Sequence, residues 1–493
     1  MKIKFSLLIA LVYVSVSFGQ SEKDKVVETV DKNTIQGHIY FLADDLLKGR
    51  ETGTPENKIA ASYLANTLRS YGVKPDPKTG SYYQEVTLLK VDAPKRITLA
   101  IDGKELKQKV AIQSKLMKFT GDLVYLGYGL EDDYKGKNLS KKVIVVKGGG
   151  PDALDVRGAF RMRSKKSELA KAAGAVGIIE LIKTGNDTWG FIDHNFNAPR
   201  LEVAKTKEDY VKQKNQLPYL WVQDEYGSTA LDLETGNHTV KWNMDSDNRH
   251  EIKSQNVVGI VEGTDPNLKN EYIIYSAHYD HVGIGAPDET GDVIYNGARD
   301  NAVGTTTVLS MAQSLAKYPT KRSALFILFT GEEKGLLGSE FYVENPVLPL
   351  KQMVYCFNSD NGGYNDTSLA TIVGLTRTTA EQNIKDAAIT FGLKAIDDPA
   401  PEQGLFDRSD NVHFAKKGIP APTFSLGFTA FNGDVTKYYH KPGDEADSLD
   451  YDYLLKFFRA YVMSGRNIAN DPKTPVWTAG DKYEEKGKAL YGN

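Results

Sequence analysis

A series of short apolar runs, each followed by acidic residues or histidine, constrains this fold more than any other feature of the sequence. Three such runs lie in the second half of the chain, at 272–277, 324–329 and 353–357. Short apolar runs bounded by polar residues are typical of buried strands. Helical stretches alternate with them, so the sequence predicts an α/β fold with a mainly parallel central sheet flanked by helices. In such a sheet, ligands bind where the strands end.

The residues that follow these strands, together with one histidine in a later loop, carry the side chains of a metal site. In chain order they are His278, Asp280, Asp300, Glu332, Glu333, Asp360 and His440. Imidazole and carboxylate groups together suit zinc, and a carboxylate-rich set can hold two divalent ions when one Asp bridges them. Each residue alone would be an ordinary polar residue of the core or surface, so only the combination indicates a metal site.

The order of these residues resembles that of the co-catalytic dizinc aminopeptidases of the zinc exopeptidase clan. The pattern of that family runs His-x-Asp, Asp-Asn, Glu-Glu, Asp and His, and all five blocks are present here in that order. The sequences around the second and third blocks, 296–304 and 331–339, are also similar to the family's. The resemblance implies a zinc exopeptidase-like fold and a hydrolase that acts on peptide substrates.

The resemblance also implies a role for each of the five blocks. His278 and Asp360 would hold one zinc ion. Glu333 and His440 would hold the other, and Asp300 would bridge the two. The cofactor expected from the resemblance is therefore two Zn²⁺ ions per chain.

Further residues are expected to act beside the metals. The resemblance implies that Asp280 orients His278 and that Glu332 is the general base. Relatives commonly place a His or Tyr after a Ser-Asp pair to donate a hydrogen bond to the oxyanion, but this chain has Asn there. Asn411 or the nearby His413 is therefore the expected oxyanion donor.

Two residues flank the expected bridging aspartate. Asn301 is predicted to cap a helix that begins near Ala302, with the helix N-terminus facing the metals. Arg299 could bind a substrate carboxylate, but pairing with a surface acid is the favoured interpretation.

Cleavage of a peptide bond at a free N-terminus is the activity that the resemblance favours. A carboxypeptidase or dipeptidase on the same scaffold is the nearest alternative, and blocked N- or C-termini would separate the two. Glutaminyl cyclase, of related fold and with one zinc, is disfavoured because the five-ligand set is complete. A non-catalytic binding protein would be expected to have lost Glu332 or a ligand, and none is lost.

The chain has 493 residues, enough for more than one domain. After residue 86 the pattern changes to short strands and loops, which resembles the protease-associated domain inserted in many secreted dizinc peptidases. An unrelated β-rich insert is the alternative. The predicted order is a signal peptide at 1–19, the N-terminal part of the peptidase domain at 20–86, a β-rich protease-associated-like insert at 87–247 and the main peptidase part at 248–493.

The N-terminus resembles a secretory signal. Lys2 and Lys4 precede the apolar segment 5–16, and small residues follow at 17–19. The apolar segment is shorter than the roughly 20 residues of a membrane span, so we expect export to the periplasm or medium and no membrane span. A net charge of −3 gives no reason to expect a nucleic-acid partner, and no feature specifies an oligomeric state. The single cysteine, Cys356, is predicted to be buried in a strand.

Overall fold

The computed structural model describes residues 20–204, 216–246 and 248–492. The predicted signal peptide, 1–19, lies outside these residues. The chain divides into two compact units. The first, here called the discontinuous unit, contains the described residues up to Glu85 and from Gln255 onward, and the second, the inserted unit, is Val86–Ser254. The sequence analysis predicted these boundaries after 86 and after 247, so the second lies seven residues before the end of the inserted unit.

The strands of the described residues are short, and many are fully buried. They are β1 (Tyr83–Asp92), β2 (Ile97–Ile101), β3 (Lys104–Glu105), β4 (Lys109–Gln113), β5 (Met117–Tyr125), β6 (Val143–Lys147), β7 (Gly177–Ile182), β8 (Arg200–Val203), β9 (Tyr219–Gln223), β10 (His238–Met244), β11 (Asn248–Val261), β12 (Tyr272–His278), β13 (Gly283–Ile284), β14 (Ile294–Tyr295), β15 (Ser323–Phe329), β16 (Met353–Ser359), β17 (Leu369–Val373), β18 (Lys394–Asp397) and β19 (Thr423–Leu426).

Helices fill most of the connections. The α-helices of the described residues are Glu22–Thr29, Lys32–Leu42, Pro55–Ser70, Val156–Ala172, Asn186–Asn197, Ser228–Asp232, Gly304–Lys317, Leu337–Glu344, Glu381–Thr390, Asn411–Lys416, Tyr451–Asn470 and Glu484–Tyr491. A π-helical turn, Ala298–Val303, precedes the helix Gly304–Lys317.

The sheet of the discontinuous unit has the strand order β18-β17-β19-β16-β12-β15-β11. Its centre is parallel, because β12 pairs in parallel with β15 and β16, and β16 does so with β19. Antiparallel pairs occur toward the edges, between β11 and β15 and between β17 and β19. The predicted α/β fold with a mainly parallel central sheet is confirmed.

Apolar residues cover both faces of this sheet, because successive side chains of a strand point to opposite faces. Ile273 and Tyr275 of β12 belong to one buried cluster, which includes residues of the helices Gly304–Lys317 and Tyr451–Asn470. Ile274 belongs to a second cluster. Since both faces are apolar, the ends of the strands are where polar chemistry can be placed.

Two helices near the N-terminus are joined by a buried histidine. His38, on the helix Lys32–Leu42, places Nδ1 2.7 Å from the Tyr63 hydroxyl and Nε2 2.8 Å from the Tyr71 hydroxyl. Burial lowers the pKa of His38 to about 4. The neutral imidazole therefore uses both ring nitrogens to hold the helix Pro55–Ser70 and the turn after it.

The inserted unit has its own sheet, with the strand order β3-β2-β10-β5-β6-β7-β9-β4. The pairs from β5 to β9 are parallel, and the outer pairs are antiparallel. Two separate apolar clusters form its core. It also contains the helices Val156–Ala172 and Asn186–Asn197, so it is richer in helix than the predicted β-rich insert. Its assignment as a protease-associated domain stays a prediction.

Among the described residues, no helix has both the length and the apolar character required to cross a bilayer.

Candidate metal centre and active site

Three neighbouring parallel strands bring most of the predicted site residues to one edge of the sheet. His278 is the last residue of β12 and pairs with Phe329, the last residue of β15. Glu332 follows β15 within a turn, and Asp360 directly follows β16. Because the carboxyl ends of parallel strands lie at the same edge, residues far apart in the sequence meet there.

Asp300 lies in the π-helical turn before the helix Gly304–Lys317. The Asp300–Asn301 peptide bond is cis. Asn301 accepts a hydrogen bond from the Gly304 N–H at 3.0 Å and donates one to the Ser359 carbonyl at 2.9 Å. Asn301 therefore binds the first N–H of this helix, but the helix begins two residues later than expected and its N-cap position is Val303.

Asp300 divides its two carboxylate oxygens between two histidines. Oδ1 lies 3.3 Å from Nε2 of His278, and Oδ2 lies 3.2 Å from Nε2 of His440. Asp360 joins the first group, with Oδ1 3.3 Å from Nε2 of His278. Glu333 joins the second, with Oε2 3.0 Å from Nε2 of His440. The structure thus brings together all five predicted ligands, as two groups that share Asp300.

His281 is a member of the second group that the sequence analysis missed. It is fully buried, and its Nδ1 lies 2.7 Å from Oε1 of Glu333, the oxygen that faces away from His440. His281, Asp300, Glu333 and His440 together form one candidate metal-binding group. The signal that could have revealed it is the sequence His-Tyr-Asp-His, in which a second histidine directly follows the aspartate predicted to orient His278.

Asp280 has more partners than the sequence suggested. Its carboxylate accepts hydrogen bonds from the N–H groups of Glu332 at 3.1 Å and Glu333 at 3.4 Å. It also accepts one from the Thr52 hydroxyl at 2.8 Å. Its Oδ1 is 3.9 Å from Nδ1 of His278, which lies closer, at 3.2 Å, to the Asp280 carbonyl. Asp280 therefore holds the Glu332–Glu333 turn at least as directly as it orients His278.

Arg50 binds backbone carbonyls of the loops that carry the site, and the sequence analysis did not identify it. It is 1% exposed, and its guanidinium donates to the carbonyls of Tyr279 at 2.8 Å, Asn296 at 2.6 Å and Gly297 at 3.1 Å. A further hydrogen bond goes to the Leu42 carbonyl. Burial lowers the pKa of Arg50 to about 10, so the group stays cationic at neutral pH. It places a fixed positive charge beneath a cluster of carboxylates.

Arg299 is not the surface residue that the sequence predicts. It is 3% exposed and donates from Nη1 to Oδ1 of Asp444 at 3.0 Å. The Asp444 carboxylate also accepts from the N–H groups of Arg299 at 3.0 Å and Asp300 at 3.1 Å. Both side chains are buried, because the loop after His440 brings Asp444 against the turn that carries Asp300. Arg299 and Asp444 therefore fix the backbone of the bridging aspartate.

Part of the discontinuous unit is similar to a known protein family. Residues 256–464 match the sequence profile of peptidase family M28, and they include all the residues of the two groups. This part of the chain is therefore similar to peptidase family M28.

Individual relatives extend the similarity over most of the chain. Aminopeptidase YwaD of Bacillus subtilis (strain 168) is 24% identical over 451 residues, which cover 89% of this chain and 86% of that protein. A probable zinc metalloprotease of Pyrenophora tritici-repentis (strain Pt-1C-BFP) is 24% identical over 291 residues, covering 50% of this chain and 66% of that protein. The solved structure of an aminopeptidase from Aneurinibacillus sp. strain AM-1 aligns with a TM-score of 0.61 at 22% identity, covering 92% of this chain and 97% of that one. This last likeness shows a shared fold.

The adjacent glutamates of the discontinuous unit have opposite electrostatic environments. Burial raises the pKa of the Glu332 carboxyl well above its usual range, and the charge of His278 only partly offsets this. Burial also disfavours the charged form of Glu333, but contacts with His281 and His440 hold its pKa at about 2. Two neighbouring carboxylates with separated pKa values suit two different roles.

The donor groups fit divalent metal ions. Ligands of one zinc ion with metal–ligand distances of about 2.1 Å and tetrahedral angles lie about 3.4 Å apart. The contacts around His278 and His440 are 3.0 to 3.3 Å long. In the part of the chain that the structure describes, Nε2 of His440 is buried and makes no hydrogen bond despite these short contacts. A nitrogen that faces two carboxylate oxygens in this way has the geometry of a metal ligand.

A cavity of about 100 Å³ opens beside the two groups. Asp300, Glu332 and Asp360 line one part of it, and apolar and aromatic residues line much of the remainder. Tyr439, whose ring stacks on His440 with centroids 4.0 Å apart, also lines it. The cavity therefore places a bound side chain directly beside the candidate metal ligands.

The expected oxyanion donors do not reach this cavity. The Asn411 side chain is buried and donates its amide hydrogen to the Ala421 carbonyl at 3.0 Å. His413 lies among Lys416, Lys417 and Glu344, and burial lowers its pKa to about 4. Neither residue is among those that line the cavity. The expectation that Asn411 or His413 serves the oxyanion is corrected, because the short helix Asn411–Lys416 directs both side chains elsewhere.

Proposed function

We propose that this protein is an exported, zinc-dependent aminopeptidase that holds two metal ions. One observation carries the proposal. Asp300 presents one oxygen to His278 and the other to His440, at 3.3 and 3.2 Å. A carboxylate whose two oxygens face two different histidines is suited to bridge two ions. Around a single ion, both histidines would be expected on the same side of the carboxylate.

The ligands follow from these contacts. His278 and Asp360 would hold one ion, and Glu333 and His440 the other, with Asp300 shared. Similarity to an aminopeptidase and to a probable zinc metalloprotease supports zinc and the exopeptidase activity. Imidazole and carboxylate ligands are those that zinc commonly takes in hydrolytic sites.

Glu332 would act as the general base. When bound, two zinc ions lower the pKa of a water molecule and polarise the carbonyl of the scissile peptide bond. Glu332 lines the cavity, and its Oε2 lies 3.9 Å from Nε2 of His278, farther than the 3.3 Å contacts that Asp300 and Asp360 make with the same nitrogen. Its raised pKa suits a carboxylate that accepts a proton and passes it to the leaving nitrogen. Asp280 keeps it in place by binding its backbone N–H.

A carboxypeptidase or dipeptidase on the same scaffold is the alternative function. The enzyme should hydrolyse aminoacyl p-nitroanilides with a free amine and leave their N-acetylated counterparts intact. Equal cleavage of the acetylated substrates would contradict an aminopeptidase. Glutaminyl cyclase, which uses one zinc, is less consistent with two ligand groups around Asp300, and failure to form pyroglutamate from glutaminyl peptides would exclude it.

Metal analysis tests the number of ions. The purified mature protein should contain close to two zinc ions per chain, lose activity on chelation and regain it when zinc is added. Full activity with one metal per chain, and no gain from a second, would argue for a mononuclear enzyme. Export is tested separately, by finding a mature N-terminus near Gln20 in protein recovered from the periplasm or medium.

A further inference from the structure

Arg408 is an exception among the arginines of the discontinuous unit. Every other arginine there donates a hydrogen bond to an acceptor within the protein: Arg50, Arg69, Arg299, Arg322, Arg377, Arg459 and Arg466. Arg408 has no hydrogen bond and no ion pair with any described residue. A guanidinium has five N–H donors, so its unused hydrogen-bonding capacity is large.

Arg408 lies at the candidate active site. It ends the short helical turn Leu405–Arg408 and lines the same cavity as Glu332 and Asp360. The adjacent acid cannot neutralise it, because Asp407 pairs with Lys482 at 2.9 Å. The cavity therefore has carboxylates of the metal groups in one part and a free guanidinium in another.

Apolar and aromatic side chains line the cavity together with Arg408. Its guanidinium carbon lies 5.9 Å from the centroid of the Phe431 ring, which can support a cation from one side. Leu405, Phe428 and Val435 line the same cavity. Arg408 is itself exposed, but apolar walls lower the local dielectric constant on its cavity side, so an ion pair formed there is stronger than one in open solvent.

We propose that Arg408 is a specificity-determining residue that binds a carboxylate of the substrate. The inference rests on the proposed aminopeptidase function and deepens it. A planar guanidinium matches a carboxylate with two parallel hydrogen bonds, which a single amide cannot reproduce. The carboxylate can come from two sources: the side chain of an acidic N-terminal residue, or the C-terminus of a dipeptide. In either case the substrate has its amine at the metal groups and its negative charge at Arg408.

The test compares two pairs of substrates that differ by one carboxylate. Glutamyl and glutaminyl p-nitroanilide differ only at the side chain, and Leu-Leu and Leu-Leu amide differ only at the C-terminus. We measure kcat/KM for all four with the zinc-loaded wild type, Arg408→Gln, Arg408→Lys and the control Arg69→Gln. Arg69 is an exposed arginine that is not among the residues lining the cavity, so the control makes the same change of charge elsewhere.

Arg408→Gln should lower kcat/KM roughly ten- to a hundredfold for the carboxylate-bearing member of at least one pair, the size expected for a charge-assisted hydrogen bond. The neutral member should change less than about threefold, Arg408→Lys should recover part of the loss, and Arg69→Gln should behave as wild type. Loss in the glutamyl pair identifies the side-chain source, and loss in the dipeptide pair the C-terminal source. An equal loss for both members of each pair, or no loss, overturns the proposal.

A binding measurement separates this proposal from the proposed function. We titrate two zinc-loaded variants, Glu332→Gln and Glu332→Gln/Arg408→Gln, with glutamate, glutamine, Leu-Leu and Leu-Leu amide in a calorimeter. Because both variants lack the proposed general base, the measured affinities do not depend on turnover. If the wild type cleaves none of the four substrates, the aminopeptidase proposal fails. The carboxylate proposal is then judged by binding alone: a preference for the carboxylate ligand that disappears with Arg408→Gln supports it, and the absence of any preference overturns it.

Discussion

At the scale of single residues, the site depends on carboxylates that differ in their surroundings rather than in their chemistry. Glu332 and Glu333 are adjacent, and Asp280 accepts a hydrogen bond from the backbone of each. Glu333 contacts two imidazoles, through a different oxygen in each case. Glu332 is only partly buried and lines the cavity, with Oε2 3.9 Å from Nε2 of His278. This difference supports the proposed roles, in which Glu333 binds metal and Glu332 exchanges a proton.

Substituting the two glutamates in turn tests this division of roles. Glu332→Gln keeps the size and polarity of the side chain but removes the basic oxygen. It should retain both zinc ions while kcat falls by about 10²- to 10⁴-fold. Glu333→Gln should instead lose metal, and excess zinc should restore part of its activity. Metal content and kcat are measured for both variants. If zinc rescues Glu332→Gln, and Glu333→Gln keeps two metals but stays inactive, the roles are reversed.

His281 should affect the second metal group through Glu333. His281→Ala removes the contact to Oε1, so the affinity for one of the two zinc ions should fall by roughly ten- to a hundredfold. His281→Asn places an amide nitrogen where Nδ1 was and should restore part of the affinity. Competition with a chromophoric chelator measures both binding steps. His38→Asn, which alters a buried histidine away from the metal groups, is the control. Unchanged affinity in His281→Ala would remove His281 from the site.

At the scale of secondary structure elements, candidate site residues lie at the ends of β12, β15 and β16, and hydrogen bonds from surrounding elements fix the turns beside them. Asn301 joins the first turn of the helix Gly304–Lys317 to the end of β16. Arg299 and Asp444 join the Asp300 turn to the loop that carries His440. These contacts connect elements that are distant in sequence, so the two metal groups form only when the sheet and its helices are assembled.

The N-terminal helices give a prediction about pH at this scale. The pKa of His38 is about 4 in the folded protein, and an unfolded histidine titrates near 6.5. The unfolded state therefore binds more protons between these values, so His38 destabilises the fold as the pH falls from about 6.5 to about 4, by up to about 3 kcal/mol. Above pH 6.5 this effect is absent.

Replacing His38 should remove this part of the pH dependence. His38→Gln keeps a polar side chain between Tyr63 and Tyr71 but does not titrate. We expect the free energy of unfolding of the wild type to fall more steeply between pH 7 and pH 5 than that of His38→Gln. Denaturant unfolding at both pH values, with His413→Gln as a second variant for the other histidine of low pKa, measures the difference. Parallel losses in wild type and His38→Gln would contradict the folded-state pKa of His38.

At the scale of the whole molecule, the chain separates chemistry from the inserted unit. All residues of the two candidate metal groups lie in the discontinuous unit, and the family M28 match begins at residue 256. The inserted unit has its own sheet and two apolar clusters, and among its described residues there is no candidate metal-binding group. Its expected contribution is to the choice of substrate rather than to the reaction.

Replacing Val86–Ser254 with a short flexible linker tests this separation. Metal binding should remain, because every candidate ligand is retained, while the preference among longer peptides should change. Zinc content and kcat/KM for a series from dipeptides to longer peptides are measured against the full chain. Loss of both zinc ions in a variant that still folds would mean that the inserted unit is part of the catalytic core.

The sequence by itself was sufficient for the fold class and for five residues that the structure brings together in the two candidate metal groups, but it did not reveal His281. Apolar runs identify buried strands, and β12, β15 and β16 lie where such runs predict them. Because the ends of parallel strands meet, residues after those strands could be expected to converge before any coordinates were known. The five candidate ligands stand in the order found in a known family, and this order indicated a zinc-dependent peptidase.

Only the tertiary structure determined which side chains support or miss the site. Arg50, Arg299 and His281 act through partners that no sequence interval connects to them, such as the Asn296 carbonyl, Asp444 and Oε1 of Glu333. Asn411 was misjudged for the same reason, since its amide binds a carbonyl on a neighbouring segment. Sequence patterns report periodicity and local order, whereas hydrogen-bond partners and unpaired charges are properties of distance in space. That difference is why Arg408 became a candidate for substrate recognition only once the cavity was known.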